Sequence, residues 1–380
     1  MPHPQFPQDD AIIHLNHAGV GGWPQRTADA VSDFARENLH RGSANYPRWL
    51  ETEQRLRERL AALIGAPDPG DVALVKNTSE ALSFVAYGIS WSAGDEVIIN
   101  RSEFPSNRIV WESLRDQGVV IRDVDLHDPD HLSPEDALIA AMNSRTRLVS
   151  VSAVQYGSGL RMDLERLSAA CRDRDVLFCV DAIQQLGALR FDLSSVDADF
   201  VVADGHKWLL GPEGLGLFYC RPSIRDSLKL TQYGWHMVED AGNYDTVDWE
   251  PARSARRFEC GSPNLMAVHG LEASLAVLQD DAGMDAVESG VLACTEYLAE
   301  RIADSGRLEV ISNRAPARRS GILVFRSPQA DNTALYRALM AEGILCAARG
   351  GGVRFSPHFY LSTSQLEHAV SRAEALAGTL

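Results

Sequence analysis

The chain is 380 residues long, 45% hydrophobic and 23% charged, which leaves ample material for buried cores and gives no compositional sign of disorder. That length exceeds what one hydrophobic core ordinarily supports, so a large domain with a smaller appended one is expected. Asp and Glu total 52 against 36 Lys and Arg, and the formal charge of -16 would repel nucleic-acid phosphates and anionic headgroups; a small-molecule substrate is favoured over either surface. The N-terminus, Met-Pro-His-Pro-Gln-Phe-Pro, lacks the basic and apolar regions of a signal peptide, and no apolar run approaches membrane-spanning length, so a cytoplasmic location is expected. Cysteines at 171, 179, 220, 260, 294 and 346 contain no C-x-x-C pair and predict neither a disulfide framework nor a metal site.

In chain order, residues 1–20 carry Leu15-Asn16-His17-Ala18-Gly19 and are expected to pack on the smaller domain and reach the site. From about residue 70 to 220, apolar runs alternate with amphipathic stretches: Val72–Val75, Val97–Ile99, Val119–Ile121, Leu148–Val151, Val176–Val180, Phe200–Ala203 and Leu215–Tyr219. Such runs, with little polar alternation, predict strands buried on both faces of a mainly parallel seven-stranded sheet. Helical spacing lies between them, as in Asp163–Arg172, where Leu164, Leu167, Ala170 and Cys171 share a face. Residues 221–265 lack a period and are rich in Trp, Tyr, Gly and Arg, reading as the irregular end of a large domain over 21–265. Helical patterns at Leu265–Leu278, Ala286–Ile302 and Thr333–Ala341, with a strand-like Gly321–Phe325, predict a small α+β domain over 266–380. The fold class is therefore α/β, and ligands in such sheets bind beyond the carboxyl ends of the strands.

Three segments in those places carry chemistry. Ala203-Asp204-Gly205-His206-Lys207-Trp208 opens from a strand into a Gly-rich loop with one lysine, whose amine could condense with an aldehyde. A lone lysine is ordinarily a solvated surface group; this one follows a buried strand. Val180-Asp181-Ala182-Ile183-Gln184 puts a carboxylate at a strand end, where it either caps the next helix or pairs with a protonated ring nitrogen, with Gln184 near a phenolic oxygen. Lys76-Asn77-Thr78-Ser79-Glu80 follows another strand and begins a helix; Thr78 and Ser79 fit either an ordinary N-cap or a phosphate site. Aldehyde, ring nitrogen and phosphate together describe pyridoxal 5'-phosphate (PLP).

These residues resemble the class V aminotransferase group of fold-type I PLP enzymes, which includes cysteine desulfurases, selenocysteine lyases and kynureninases. The resemblance spans nearly the whole chain, and the D-x-x-Q and G-H-K segments stand 26 residues apart, from Asp181 to Lys207. It implies that Lys207 forms the Schiff base and Asp181 holds the pyridine nitrogen protonated. Phe104, in Glu103-Phe104-Pro105-Ser106-Asn107, matches the ring that stacks on the cofactor, and Gln155 falls where the family has an Asn near cofactor and substrate carboxylate. Phe258-Glu259-Cys260-Gly261-Ser262-Pro263-Asn264 resembles the segment that reaches the phosphate of the neighbouring subunit, so Gly261 and Ser262 imply a homodimer with shared sites. Asp204 stands where many relatives have a phosphate-binding Ser, and His206 is the candidate to supply that contact. Arg354 matches the arginine that clamps the substrate α-carboxylate, with Arg349 as second candidate; Asn16 and the Gln232–Asp248 stretch are expected to line the substrate pocket.

Desulfurases of this group carry a nucleophilic cysteine on a loop just before the clamp arginine. Here the chain runs Arg349-Gly350-Gly351-Gly352-Val353-Arg354, with Cys346 upstream in a strand-like stretch. A desulfurase is therefore disfavoured. What remains is β-elimination from a cysteine-type substrate, the preferred reading, or transamination or epimerisation; a non-catalytic PLP-binding protein is the alternative of another class, opposed by intact Lys207, Asp181 and Arg354.

Overall fold

A computed structural model describes residues 3–245 and 247–380. In chain order its strands are β1 (Ile13–His14), β2 (Val72–Val75), β3 (Glu96–Asn100), β4 (Val120–Val124), β5 (Thr146–Ser152), β6 (Leu177–Asp181), β7 (Phe200–Asp204), β8 (Gly216–Cys220), β9 (Glu309–Val310), β10 (Leu323–Arg326), β11 (Ile344–Leu345), β12 (Ala347–Arg349) and β13 (Gly352–Phe355). A seven-stranded sheet runs β2-β8-β7-β6-β5-β3-β4. Only β8 is antiparallel to its neighbours in it; the other pairs are parallel.

Each of the seven apolar runs overlaps one of these strands, with Val119, Val176 and Leu215 falling one residue before theirs. Alternate residues feed two cores, because successive side chains of a strand point to opposite faces. Val149, Val151, Val180 and Val201 join one; Leu148, Cys179, Phe200 and Val202 join the other. The exception is β4, at the sheet edge, where Val120 is exposed and the strand is partly solvated rather than buried on both faces.

The helix Leu265–Ala276, expected to open the small domain, packs instead on the helices Gln25–Arg41 and Tyr46–Ile64. Val268, Leu271 and Leu275 belong to the same core as Leu56, Leu60 and Val201. Burying that apolar face against the large unit outweighs its place in sequence. A separate core gathers Leu298, Ile302, Phe325, Phe355 and Val370 around the four-stranded sheet β12-β13-β10-β9. The N-terminal segment is strapped to this second unit: β1 pairs in parallel with β11, and Asn16 bridges to Ser356.

The six cysteines are free thiols, five of them buried. No helix among the described residues is long and apolar enough to cross a membrane.

Within the large unit a buried ionic group ties the helix Tyr46–Ile64 to β2 and to the segment before Leu265. Arg57 reaches both oxygens of Glu259 (2.6 and 3.2 Å) and Glu53 (2.9 Å), while Leu74 N donates to Glu259 Oε1 (2.9 Å). Removing one partner of a buried pair strands the other charge. Glu259→Ala is expected to lower unfolding stability by about 3–5 kcal/mol in denaturant titrations.

Candidate active site

The parallel ladder brings the carboxyl ends of β5, β6 and β7 to one edge. Ser152 stands beside Asp181 across β5 and β6, and Asp181 and Asp204 are the last residues of β6 and β7. Beyond them lies a cavity of about 300 Å³ lined by Thr78, Phe104, Asp181, Lys207 and Arg354 among others.

Lys207 is held by a tight loop. Leu210 N donates to Lys207 O (3.1 Å) and Gly211 N to Gly205 O (2.8 Å), which forces Leu210 to a φ of 59°. A left-handed leucine costs about 1–2 kcal/mol, and its complete burial holds it there. The outer side of the loop is closed by Gly187, at φ 91°, where a Cβ would stand 2.2 Å from Trp208 O. The Lys207 Nζ projects over the Phe104 ring, 5.5 Å from its centroid. Burial lowers its pKa to about 8, against the attraction of Asp181.

Asp181 is buried, accepts from Ile183 N (3.1 Å), and is raised to about 7 chiefly by desolvation. A protonated ring nitrogen at this carboxylate would supply the positive partner that the protein leaves out. Gln184 is pinned from both sides: Nε2 donates to Ala18 O (3.0 Å) and Trp208 Nε1 donates to Oε1 (2.8 Å).

At the other end, Thr78 is the first residue of the helix Thr78–Gly88, capped by the Asn77 side chain on Glu80 N. Thr78 Oγ1 and His206 Nδ1 are buried without hydrogen-bond partners, and Ser79 Oγ donates to Ser106 Oγ (2.8 Å). The orphaned donors beside a helix start fit a phosphate. Asp204 sits less easily with that anion: its Oδ1 lies 3.0 Å from His206 Nδ1, yet misaligned, and neither atom has another partner.

Three arginines are buried among the described residues, and two of them pair with carboxylates: Arg57 with Glu53 and Glu259, Arg225 with Asp71. Arg354 does not. It is 3% exposed, and it donates only to Tyr156 O (2.9 Å) and Asn16 Oδ1 (3.2 Å), with Nε unpartnered. Burial, with Arg349 adding, pushes it down to about 10. A buried guanidinium open on the cavity lacks a carboxylate, and a substrate α-carboxylate is one. Arg349 lines the cavity too, exposed and tied to Ala348 O (2.8 Å).

Other expected residues lie elsewhere. Gln155 is fully buried behind the cavity and donates to Glu103 (3.2 Å). Gly261 and Ser262 lie outside their own chain's cavity. None of the described residues of the Gln232–Asp248 stretch lines this chain's cavity, a correction to the sequence reading: Tyr233, Trp235 and Tyr244 turn instead to a separate cavity of about 440 Å³. Ile183, Tyr156 and Glu103 were missed. Ile183 follows Asp181 by two and could have been found from that spacing; Glu103 becomes visible only when segments far apart in sequence meet.

The PLP fit is therefore good at aldehyde, ring nitrogen and phosphate, with Asp204 as the one departure.

A neutral amine attacks the aldehyde, so the lowered pKa of Lys207 sets the pH dependence of cofactor capture. Covalent PLP uptake by apoprotein, followed by its visible absorbance, should quicken about tenfold per pH unit below about pH 8 and level off above it. Lys207→Ala should abolish the absorbance at every pH. Arg354→Ala should lower kcat/KM at least about twentyfold, the lower end of the roughly 2–5 kcal/mol attached to truncating a desolvated charge pair. An unchanged value would move the clamp to Arg349.

A family model described as Aminotransferase class-V matches residues 13–370. A probable cysteine desulfurase of Methanothermobacter thermautotrophicus is 27% identical over 96% of this chain and 95% of its own length. The uncharacterized aminotransferase YcbU of Bacillus subtilis is also 27% identical, over 97% and 96%. Among solved structures, a C-DES mutant with glycine covalently linked to its PLP cofactor superposes with a TM-score of 0.91 at 21% identity, covering 98% of this chain and 99% of that one. The cystine C-S lyase C-DES in complex with its product cysteine persulfide gives 0.88 at 22% identity, covering 97% and 99%.

Proposed function

The chain belongs to the class V aminotransferase family and is a PLP-dependent enzyme, and on that premise we propose that it catalyses β-elimination from a cysteine-type amino acid, releasing a thiol, ammonia and pyruvate. The observation that carries this reading is a cavity that holds Lys207 and the unpaired Arg354 but, among the described residues, is lined by no cysteine. Cys346, eight residues before Arg354, is buried, and burial pushes its thiol up to about 12, so it is not poised as a thiolate to accept sulfur. Similarity to a cystine lyase supports the same reading.

Bound PLP supplies an electron sink for negative charge at the substrate α-carbon. Asp181 keeps a proton on the ring nitrogen, and Phe104 covers the ring. Arg354 grips the α-carboxylate with one edge of its guanidinium, fixing the α-carbon before Lys207. The Nζ of Lys207 takes the α-proton and delivers a proton to the departing sulfur; an amine near pH 8 is suited to both roles. Water then hydrolyses the released enamine to pyruvate and ammonia.

The active unit is a homodimer on this reading. Gly261 has no atom within 4 Å of where a Cβ would stand, leaving that segment open to reach the phosphate end of a second copy.

Incubation with L-cysteine, cystine and cysteine conjugates should give pyruvate and ammonia in equal amounts without alanine, and Cys346→Ser should retain that activity. Stoichiometric alanine with persulfide on Cys346 would restore desulfurase chemistry. Exchange with 2-oxo acids in place of elimination would make the enzyme an aminotransferase.

A further inference from the structure

Glu103 ends the turn after β3, one residue before Phe104, with its carboxylate buried. Its Oε1 accepts from Asn100 Nδ2 (2.5 Å), Ser152 N (2.8 Å) and Gln155 Nε2 (3.2 Å), and its Oε2 from Asn107 Nδ2 (2.9 Å) and Ser152 Oγ (2.5 Å). Four of the five donors are N–H groups, which cannot accept. Asn107 cannot turn its amide over, because its Oδ1 already accepts from Trp111 Nε1 (2.9 Å) and Ser150 Oγ (2.6 Å). Such a shell suits an ionised carboxylate, since a protonated one would point its hydrogen into a ring of donors. Burial acts in the opposite direction and pushes the group up; the donor count decides in favour of the charge.

No cation pairs with Glu103 among the described residues, and a buried charge without a counter-ion is an expensive way to tie a turn. Its place suggests what the charge does. Ser152, which bonds it twice, is the cross-strand partner of Asp181, and Ala153 N donates to Asp181 O (2.9 Å). Two buried carboxylates thus stand beyond β3 and at the end of β6, on either side of β5, and the charge of Glu103 acts on Asp181 across that strand, which makes positive charge in front of Asp181 more favourable.

We propose that Glu103 is a positioning residue of the cofactor site, whose fixed charge behind Asp181 helps hold the PLP ring nitrogen protonated while its turn presents Phe104. The inference rests on Asp181 as the partner of that nitrogen. The other charged groups around the site are Asp204 at the end of β7, His206 and Lys207 after it, Arg349 at the end of β12 and Arg354 on β13, and none of them is altered in the test.

Wild type, E103Q and E103D would be loaded with PLP carrying 15N in the ring, and the nitrogen shift followed against pH, with thermal melts alongside. E103Q keeps the shape and removes the charge; E103D keeps the charge and changes the shape. The titration midpoint of the nitrogen should fall by about one pH unit or more in E103Q and stay near that of wild type in E103D, whatever either does to the melting temperature. A wild-type midpoint in E103Q, or a neutral nitrogen in E103D, would overturn the proposal, and the E103D arm decides it alone if E103Q does not take up cofactor. D181A separates the premise: a nitrogen still protonated there would remove Asp181 from its role rather than Glu103.

Discussion

Desolvation of charge governs this molecule's active edge. Asp181, Lys207 and Arg354 are all withdrawn from water where β6, β7 and β13 end, and each is shifted toward its neutral form by that burial. Elsewhere the fold answers the same problem internally, as with Arg57 between Glu53 and Glu259. At the cavity it does not. On the proposed reading these three groups face the ring nitrogen and aldehyde of PLP and the carboxylate of an amino acid. Cofactor binding on these terms also stabilises the fold, because the partners it brings are absent from the unfolded chain.

Precision at the site comes from backbone as much as from side chains. The loop bearing Lys207 combines a left-handed Leu210 with a backbone contact at Gly187 that a side chain would block. Trp208 bonds Gln184, whose other end holds Ala18 of the N-terminal segment. The same segment supplies Asn16 to Arg354. Arg354 and Lys207, on different units, are thereby referred to one strap of chain, so a shift of the small unit would be felt at both.

The proposed reaction rests on where buried thiols lie. Burial raises Cys171, Cys179, Cys220, Cys294 and Cys346, which makes them packing groups. On the proposed elimination, with none of these five thiols poised to intercept it, a departing sulfur would leave with a proton, and Lys207 would be the group to give one.

Much of this was legible in the sequence. Strands buried in such a sheet need both faces apolar, so Val72–Val75 or Phe200–Ala203 announce themselves without a partner in view, and Asp181 and Lys207 stand out because a charged residue at or just beyond the end of such a run is at the sheet's carboxyl edge. Local pattern carries these features because they depend on near neighbours in the chain. Tertiary structure decided what depends on distant ones. The helix Leu265–Ala276 joined the large core because its partners lie more than 200 residues earlier, at Gln25–Arg41 and Tyr46–Ile64. The Gln232–Asp248 stretch left the cavity for its own, since an aperiodic loop has no geometry until something packs against it. Glu103 reads as a surface glutamate in a turn until Asn100, Asn107, Ser152 and Gln155 converge on it, and Arg354 reads as a strand arginine until the fold buries it with no carboxylate beside it. A residue's type is written in the sequence; whether its charge is answered is a property of everything that surrounds it.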